Sequence, residues 1–291
     1  MTPDPFALGP ALLFCPADRP DRFDKAAHRA DGVILDLEDG VDPAARPVAR
    51  RALREHPLDP ARTIVRVNAV GTPDHEADLA ALAGTAYTTV MLPKADGRFV
   101  GPLLRADGAP YAVVVLCETA AGVLAAPALA MRPDVVALAW GAEDLVASLG
   151  GTSSRHPDGT YRDVARQARS AVLLAAGAVG KAAVDAVHVD LDDVDGARAE
   201  AVDAAASGFT ATMCVHPRHA AAVREAYAPS EEDVERARRL LGGTGVPPSG
   251  GASRVGGSMV DEPLLRHART VLDRAARSSR SATAGGVRTE R

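Results

Sequence analysis

The feature that most constrains this chain is an alternation: eight short apolar runs, each followed by a stretch able to form a helix. The runs are ALLFC (11–15), VILDL (33–37), TIVRVN (63–68), TTVML (88–92), YAVVVLC (111–117), VVALAWG (135–141), AVDAVHVD (183–190) and TMCVH (212–216). Near-continuous apolar strands are covered on both faces, and strands separated by helices form parallel sheets through right-handed crossovers. Eight such units favour closure into a TIM (β/α)8 barrel over an open doubly wound sheet. An open sheet usually announces its ligand site with a Gly-rich first turn, whereas the first turn here reads PADRPDRF. Aromatic residues make up only 3% of the chain against 47% hydrophobic, so the core must come from Val, Leu, Ile and Ala.

The predicted crossovers lie over 21–30, 43–56, 74–84, 96–106, 119–131, 161–179, 193–206 and 217–227, with 150–160 a longer loop. The signals over 74–84 and 96–106 are the weaker ones. Pro127 predicts a break or kink within 119–131. Ser230 and Asp233 open a capping box for a further helix over 229–243. Composition then changes. The reading is a barrel domain over 1–243, then a flexible connector and one amphipathic C-terminal helix over 244–277. A disordered tail comes last, over 278–291.

A net charge of −5 gives no reason to expect nucleic-acid binding, and no run reaches the ~20 apolar residues of a membrane span. MTPDPFALGP lacks the basic start of a secretory signal, and the three cysteines show no CxxC spacing. Buried reduced thiols in a cytoplasmic protein are expected.

In a parallel barrel every strand's C-terminal end opens on one face. Arg19, Glu38, Arg66, Lys94, Glu118, Asp144, Asp190 and His216 come at or just after those ends. Glu118 and Asp144 follow adjacent strands and have no Cys/His cluster beside them. They suit a hard ion such as Mg²⁺, or Mn²⁺ in its place; acids capping barrel helices are the alternative. Arg66 offers a planar fork for a carboxylate or carbonyl oxygen, or an ion pair with Asp36 or Glu38. Gly141 and Ala142 present backbone N–H groups at a helix start, and with Glu143 and Asp144 form a substrate-binding turn. DLEDG (36–40) concentrates three acids, so Arg66, Lys94 or a metal must lie close. Of the three, Glu38 is expected to reach the site, Asp36 to orient Arg66, and Asp39 to cap the next segment. His216 is either a base or a structural histidine.

Several segments carry a family resemblance: LLFCPADRPDRFDKA (12–26), VILDLEDGVDPAARPVAR (33–50), RVN (66–68), LPK (92–94), ETAAGV (118–123), WGAEDL (140–145), GFTATMCVHP (208–217) and GSMVDEPLLRHA (257–268). In this order they resemble the citrate lyase β-subunit-like branch of the HpcH/HpaI aldolase superfamily. The resemblance implies a TIM barrel with a C-terminal helical extension, assembled as a homotrimer or hexamer. It implies a Mg²⁺-dependent carbon–carbon lyase or synthase acting on a β-hydroxyacyl-CoA such as citramalyl-, malyl- or citryl-CoA, with an α-keto acid and an acyl-CoA as products. Carried over, Glu118 and Asp144 hold the metal and Arg66 polarises the keto or hydroxyl oxygen. Arg19, Arg22 and Lys25 meet the CoA phosphates, and Asp261 is lent to a neighbouring subunit's site. Thr212 replaces a common Lys, Arg218–His219 a usual Gln, and Arg46 another Lys. Two alternatives stand beside it: an aldolase of free 4-hydroxy-2-keto acids, and a non-catalytic assembly subunit.

Overall fold

A computed structural model of the protein describes residues 6, 8–98, 101–242, 253–255 and 258–285. The chain divides into two compact units, Met1–Val223 and Arg224–Arg291. In the first, eight parallel strands close in sequence order into a barrel. They are β1 (Ala11–Pro16), β2 (Gly32–Asp36), β3 (Thr63–Arg66), β4 (Thr89–Leu92), β5 (Ala112–Cys117), β6 (Val135–Trp140), β7 (Ala182–Asp185) and β8 (Ala211–Cys214). β1 pairs with β8 to complete the ring. The inward side chains are large on one half, with Leu12, Ile34, Ile64, Met91 and Val114. On β6, β7 and β8 they include Ala137, Ala139, Ala182 and Ala211, so small faces large and the interior packs solid. Phe6 and Leu8, just before β1, pack on the same cluster.

The crossover helices are α1 (Phe23–Arg29), α2 (Arg46–Glu55), α3 (Pro73–Leu82), α4 (Ala120–Ala130), α5 (Ala142–Ser148), α6 (Asp163–Ala178), α7 (Val194–Ser207) and α8 (Pro217–Tyr227). Their starts follow the capping rules: Thr72, Thr119 and Asp193 each accept a backbone N–H of the first turn. Two expectations fail. No helix forms over the described part of 96–106, where Gly97, Gly101 and Pro102 break it up. Leu104 instead bridges Pro110 antiparallel. α4 runs unbroken through Pro127, so one missing N–H is tolerated in a helix packed against β5, β6 and α6.

The second unit holds α9 (Glu231–Gly242) and α10 (Glu262–Gly285), which pack on each other. A short antiparallel pair, β9 (Ser253–Val255) and β10 (Ser258–Val260), lies between them in sequence. Ser230 Oγ accepts the Asp233 N–H at 3.1 Å and donates to its carboxylate at 2.7 Å, the expected capping box. Asp261 caps α10 by accepting the Leu264 N–H at 3.1 Å. α10 continues past residue 277 to Gly285, and residues 286–291 of the expected tail lie outside the described residues. Most of the expected connector over 244–257 also lies outside them. Among the described residues no helix is long and apolar enough to cross a membrane.

Candidate active site

The barrel's C-terminal mouth holds a cavity of about 390 Å³. Leu116 and Met213, both part of the barrel core, also line it, so the core and the cavity share a boundary. One side of the lining is acidic, with Asp36, Asp39, Glu118, Glu143 and Asp144; among the described residues Arg66 is its one cation. The other side is apolar.

Asp36 and Arg66 are direct partners in the β2–β3 register, which places their side chains together. Arg66 donates to both Asp36 oxygens, from Nε at 2.7 Å and Nη2 at 2.6 Å, and its guanidinium lies 4.8 Å from the Phe14 ring centre. Burial alone would lower the Arg66 pKa, but the Asp36 hydrogen bond and the Glu38 charge raise it, so it stays cationic. Asp36 also accepts the N–H groups of Glu38 at 3.0 Å and Gly40 at 2.9 Å. That fold-back requires glycine at position 40, because a Cβ there would fall inside contact distance of Asp36 Oδ2. Gly40→Ala is therefore expected to lower stability by about 1–3 kcal/mol, the usual cost of overpacking. A denaturant midpoint equal to wild type would contradict this tight loop.

Glu38 Oε2 stands 2.9 Å from Arg66 Nη1, yet it is buried without a hydrogen bond of good geometry. Its other oxygen accepts from Lys94 Nζ. Glu38 thus sits behind Arg66 and Lys94, outside the cavity lining. Asp39 lines the cavity and meets Lys94 Nζ at 3.2 Å; the capping expected of it falls to Asp42, which accepts the Ala44 N–H.

Lys94 is the residue whose importance the sequence understated. It holds the left-handed backbone conformation (φ 49°), rare for a non-glycine and costing about 1–3 kcal/mol. The turn aims its N–H at Glu118 Oε1 (3.0 Å) while Nζ reaches Glu38, Asp39 and, at 3.8 Å, Asp144. Burial would lower its pKa, but the hydrogen bond to Glu38 keeps it raised and charged. The LPK segment at the end of β4 was the available signal.

Glu118 closes β5 and is only 3% exposed. Burial, and then the Asp144 and Glu38 charges, push its carboxyl up to about 8. Gly141 packs against it, since a Cβ there would stand 3.0 Å from Glu118 Oε2. Gly141 also caps α5, whose first turn carries Glu143 and Asp144, favourably placed for the helix dipole. Glu143 accepts from Ser154 Oγ at 2.5 Å, a residue of the 150–160 loop that the sequence did not single out. Two carboxylates side by side, one of them strained by burial, form a donor set that fits a divalent cation.

Trp140, the single tryptophan, lines the cavity and donates Nε1–H to Asp185 at 2.5 Å. Asp185 also takes Arg169 and its own neighbour's N–H, from Ala186, which ends β7 five residues short of its predicted end. Residues 186–189 become a loop whose Ala186, Val187 and Val189 face the cavity. Arg19, Arg22 and Lys25 follow β1 and are exposed, but none lines the cavity. His216 lies outside the lining, and its Nδ1 accepts the Arg218 N–H at 3.3 Å.

The sequence matches the family model described as HpcH/HpaI aldolase/citrate lyase over residues 11–99 and 103–217. It is 56% identical to a citrate lyase subunit beta-like protein of Mycobacterium tuberculosis, covering 92% of this chain and 96% of that one. It is 31% identical to the mitochondrial citramalyl-CoA lyase of Rattus norvegicus, covering 90% and 84%. A crystal structure of protein CitE from Mycobacterium tuberculosis with magnesium, acetoacetate and coenzyme A superposes with a TM-score of 0.84, at 56% identity over 93% of this chain and 99% of that one. Another from that organism, a citrate lyase beta subunit with oxaloacetate and magnesium, has a TM-score of 0.73 at 58% identity, over 77% and 98%. The chain belongs to the HpcH/HpaI aldolase/citrate lyase family.

Proposed function

We propose that this protein is a Mg²⁺-dependent carbon–carbon lyase, or the reverse synthase, acting on a β-hydroxyacyl-CoA thioester. The observation that carries the reading is the convergence of Glu118, Asp144 and the Asp36-held Arg66 on one cavity. The relatives support it: one is named citramalyl-CoA lyase, and another was crystallised with magnesium, a keto acid and coenzyme A.

Glu118 and Asp144 would hold the ion, which supplies Lewis-acid polarisation of a substrate oxygen when bound. Mn²⁺ would serve in the same place. Arg66, held by Asp36 and lining the cavity, would meet the oxygen where charge develops as the C–C bond breaks. Asp36, Glu38 and Lys94 fix that guanidinium and the acids around it. The N–H groups of Gly141 and Ala142, with Glu143 and Asp144 beside them, hold the keto acid's carboxylate side. In cleavage a base takes the hydroxyl proton, the carbonyl forms, and the bond's electron pair passes to the thioester fragment as an enolate, whose carbon then takes a proton from the carboxylic acid form of Asp261. In synthesis Asp261, lent by a neighbouring copy, takes the proton from the acyl-CoA methyl group. Arg19, Arg22 and Lys25 provide a basic rim for the CoA phosphates.

Leu124 on α4 and Leu174 on α6 are 84% and 72% exposed on helices packed side by side. α4 is apolar all round, as a helix covered by another subunit would be, which supports the trimeric or hexameric assembly. The three cysteines are buried and form no disulfide among the described residues, as reduced thiols in the cytoplasm would.

The test is incubation with citramalyl-CoA, malyl-CoA and citryl-CoA, then with free 4-hydroxy-2-keto acids, each with Mg²⁺ and with a chelator. Turnover of a thioester alone, abolished by the chelator and restored by Mg²⁺, is the expected result. Turnover of the free acids only would move the protein to the aldolase reading; turnover of nothing would favour an assembly subunit.

A further inference from the structure

The cavity's two sides differ in a way that bears on the choice of keto fragment, a selectivity that rests on the lyase reading. The keto fragment's carboxylate belongs on the metal and α5 side. Its remaining substituent then meets the apolar part of the lining, formed by Ala186, Val187 and Val189 after β7 and by Met213 and Val215 on and after β8. Among the described residues, no lining side chain there carries a charge or a hydrogen-bond donor, apart from Trp140 Nε1, which Asp185 already occupies. Arg66, the one cation of the described lining, already faces the carboxylates of Asp36 and Glu38. A second anionic arm placed on that side would give up water without finding a donor among the described lining residues to replace it.

We propose that the site selects a ketone whose free substituent is uncharged, and that Val187, Val189 and Val215 are the residues that enforce the choice. A methyl or branched alkyl group gains contact with those valines and with Met213. A carboxymethyl group of the same size does not. The preference is a ratio of affinities, since a relative has been crystallised with oxaloacetate and magnesium.

The pair that isolates charge from size is oxaloacetate and 4-methyl-2-oxopentanoate, which differ by a carboxylate in place of an isopropyl group on the same methylene. Pyruvate is the small reference. Each would be titrated into the full-length protein with Mg²⁺ by calorimetry, with Trp140 fluorescence as a reporter inside the cavity. We expect the alkyl acid to bind at least tenfold more tightly than oxaloacetate, and Val187→Lys to shift that ratio at least tenfold towards oxaloacetate. Val189→Lys, at a half-exposed position, serves if the first variant fails to fold. Equal affinities, or a ratio unmoved by the lysine, would overturn the proposal. So would tight pyruvate with both larger acids equally weak, because size would then decide. The measurement needs no turnover: a selective but inactive protein would sink the lyase reading alone, and an active but unselective one would sink this proposal alone.

Discussion

Glu118→Gln is expected to abolish turnover, by about 10²–10⁴-fold, while leaving the barrel folded. The carboxylate is 3% exposed, and its Oε1 accepts the Lys94 N–H, a bond that an amide oxygen can keep. What the amide cannot provide is charge for a divalent cation. Calorimetric titration with Mg²⁺ should show binding in the wild type and none, or far weaker binding, in the variant. Without metal the variant should melt no lower than the wild type, because it buries a neutral group where the wild type buries a carboxyl crowded by Asp144 and Glu38. Retained activity with retained Mg²⁺ affinity would remove Glu118 from the metal site. Asp144→Asn should give the same direction of change with a smaller effect, since Asp144 is the more exposed of the pair.

Arg66→Lys is expected to cost about 10²–10³-fold in kcat, the usual loss when a donor aimed at a developing oxyanion is removed. An ammonium keeps the positive charge but loses the planar fork that bonds Asp36 from two nitrogens while lining the cavity. The effect should fall mainly on kcat, with KM changed much less. Arg66→Met should behave differently. It leaves Asp36 a buried charge without its counter-ion and Glu38 with Lys94 alone, and about 3–5 kcal/mol of stability should be lost. Comparing denaturant midpoints of the two variants separates the chemical role from the structural one. A lysine variant with unchanged kcat would show that Arg66 only holds the acid loop in place.

Much of the fold was legible because its signals are local. Each of the eight apolar runs became a strand, shifted by a residue or two except for β7, and the crossovers that failed or held did so for identifiable reasons. Gly97, Gly101 and Pro102 dissolved the helix expected over 96–106. Pro127 did not break α4, since packing against the barrel outweighs one missing hydrogen bond. β7 stopped early because the Asp185 side chain receives Trp140, Arg169 and the Ala186 N–H, and no periodicity shows that.

Of the candidate site, Arg66, Glu118, Gly141, Ala142, Glu143 and Asp144 do converge on the cavity. Glu38 is drawn behind Arg66 instead, and Asp39 takes the exposed place beside Lys94. Asp261 lies in the other unit, where its visible role is to cap α10.

The order of the strands, the closure of the barrel and the gathering of strand-end residues at one mouth were all written in the chain, because side-chain periodicity and crossover handedness act over a few residues at a time. The tertiary structure alone decided which acid faces the cavity, which cation neutralises it and which valines form the opposite wall. Those choices join residues 30 to 56 positions apart, such as Asp36 with Arg66 and Glu38 with Lys94. They depend on strand register and on burial, since a charge out of water must take the nearest partner that closure brings to it.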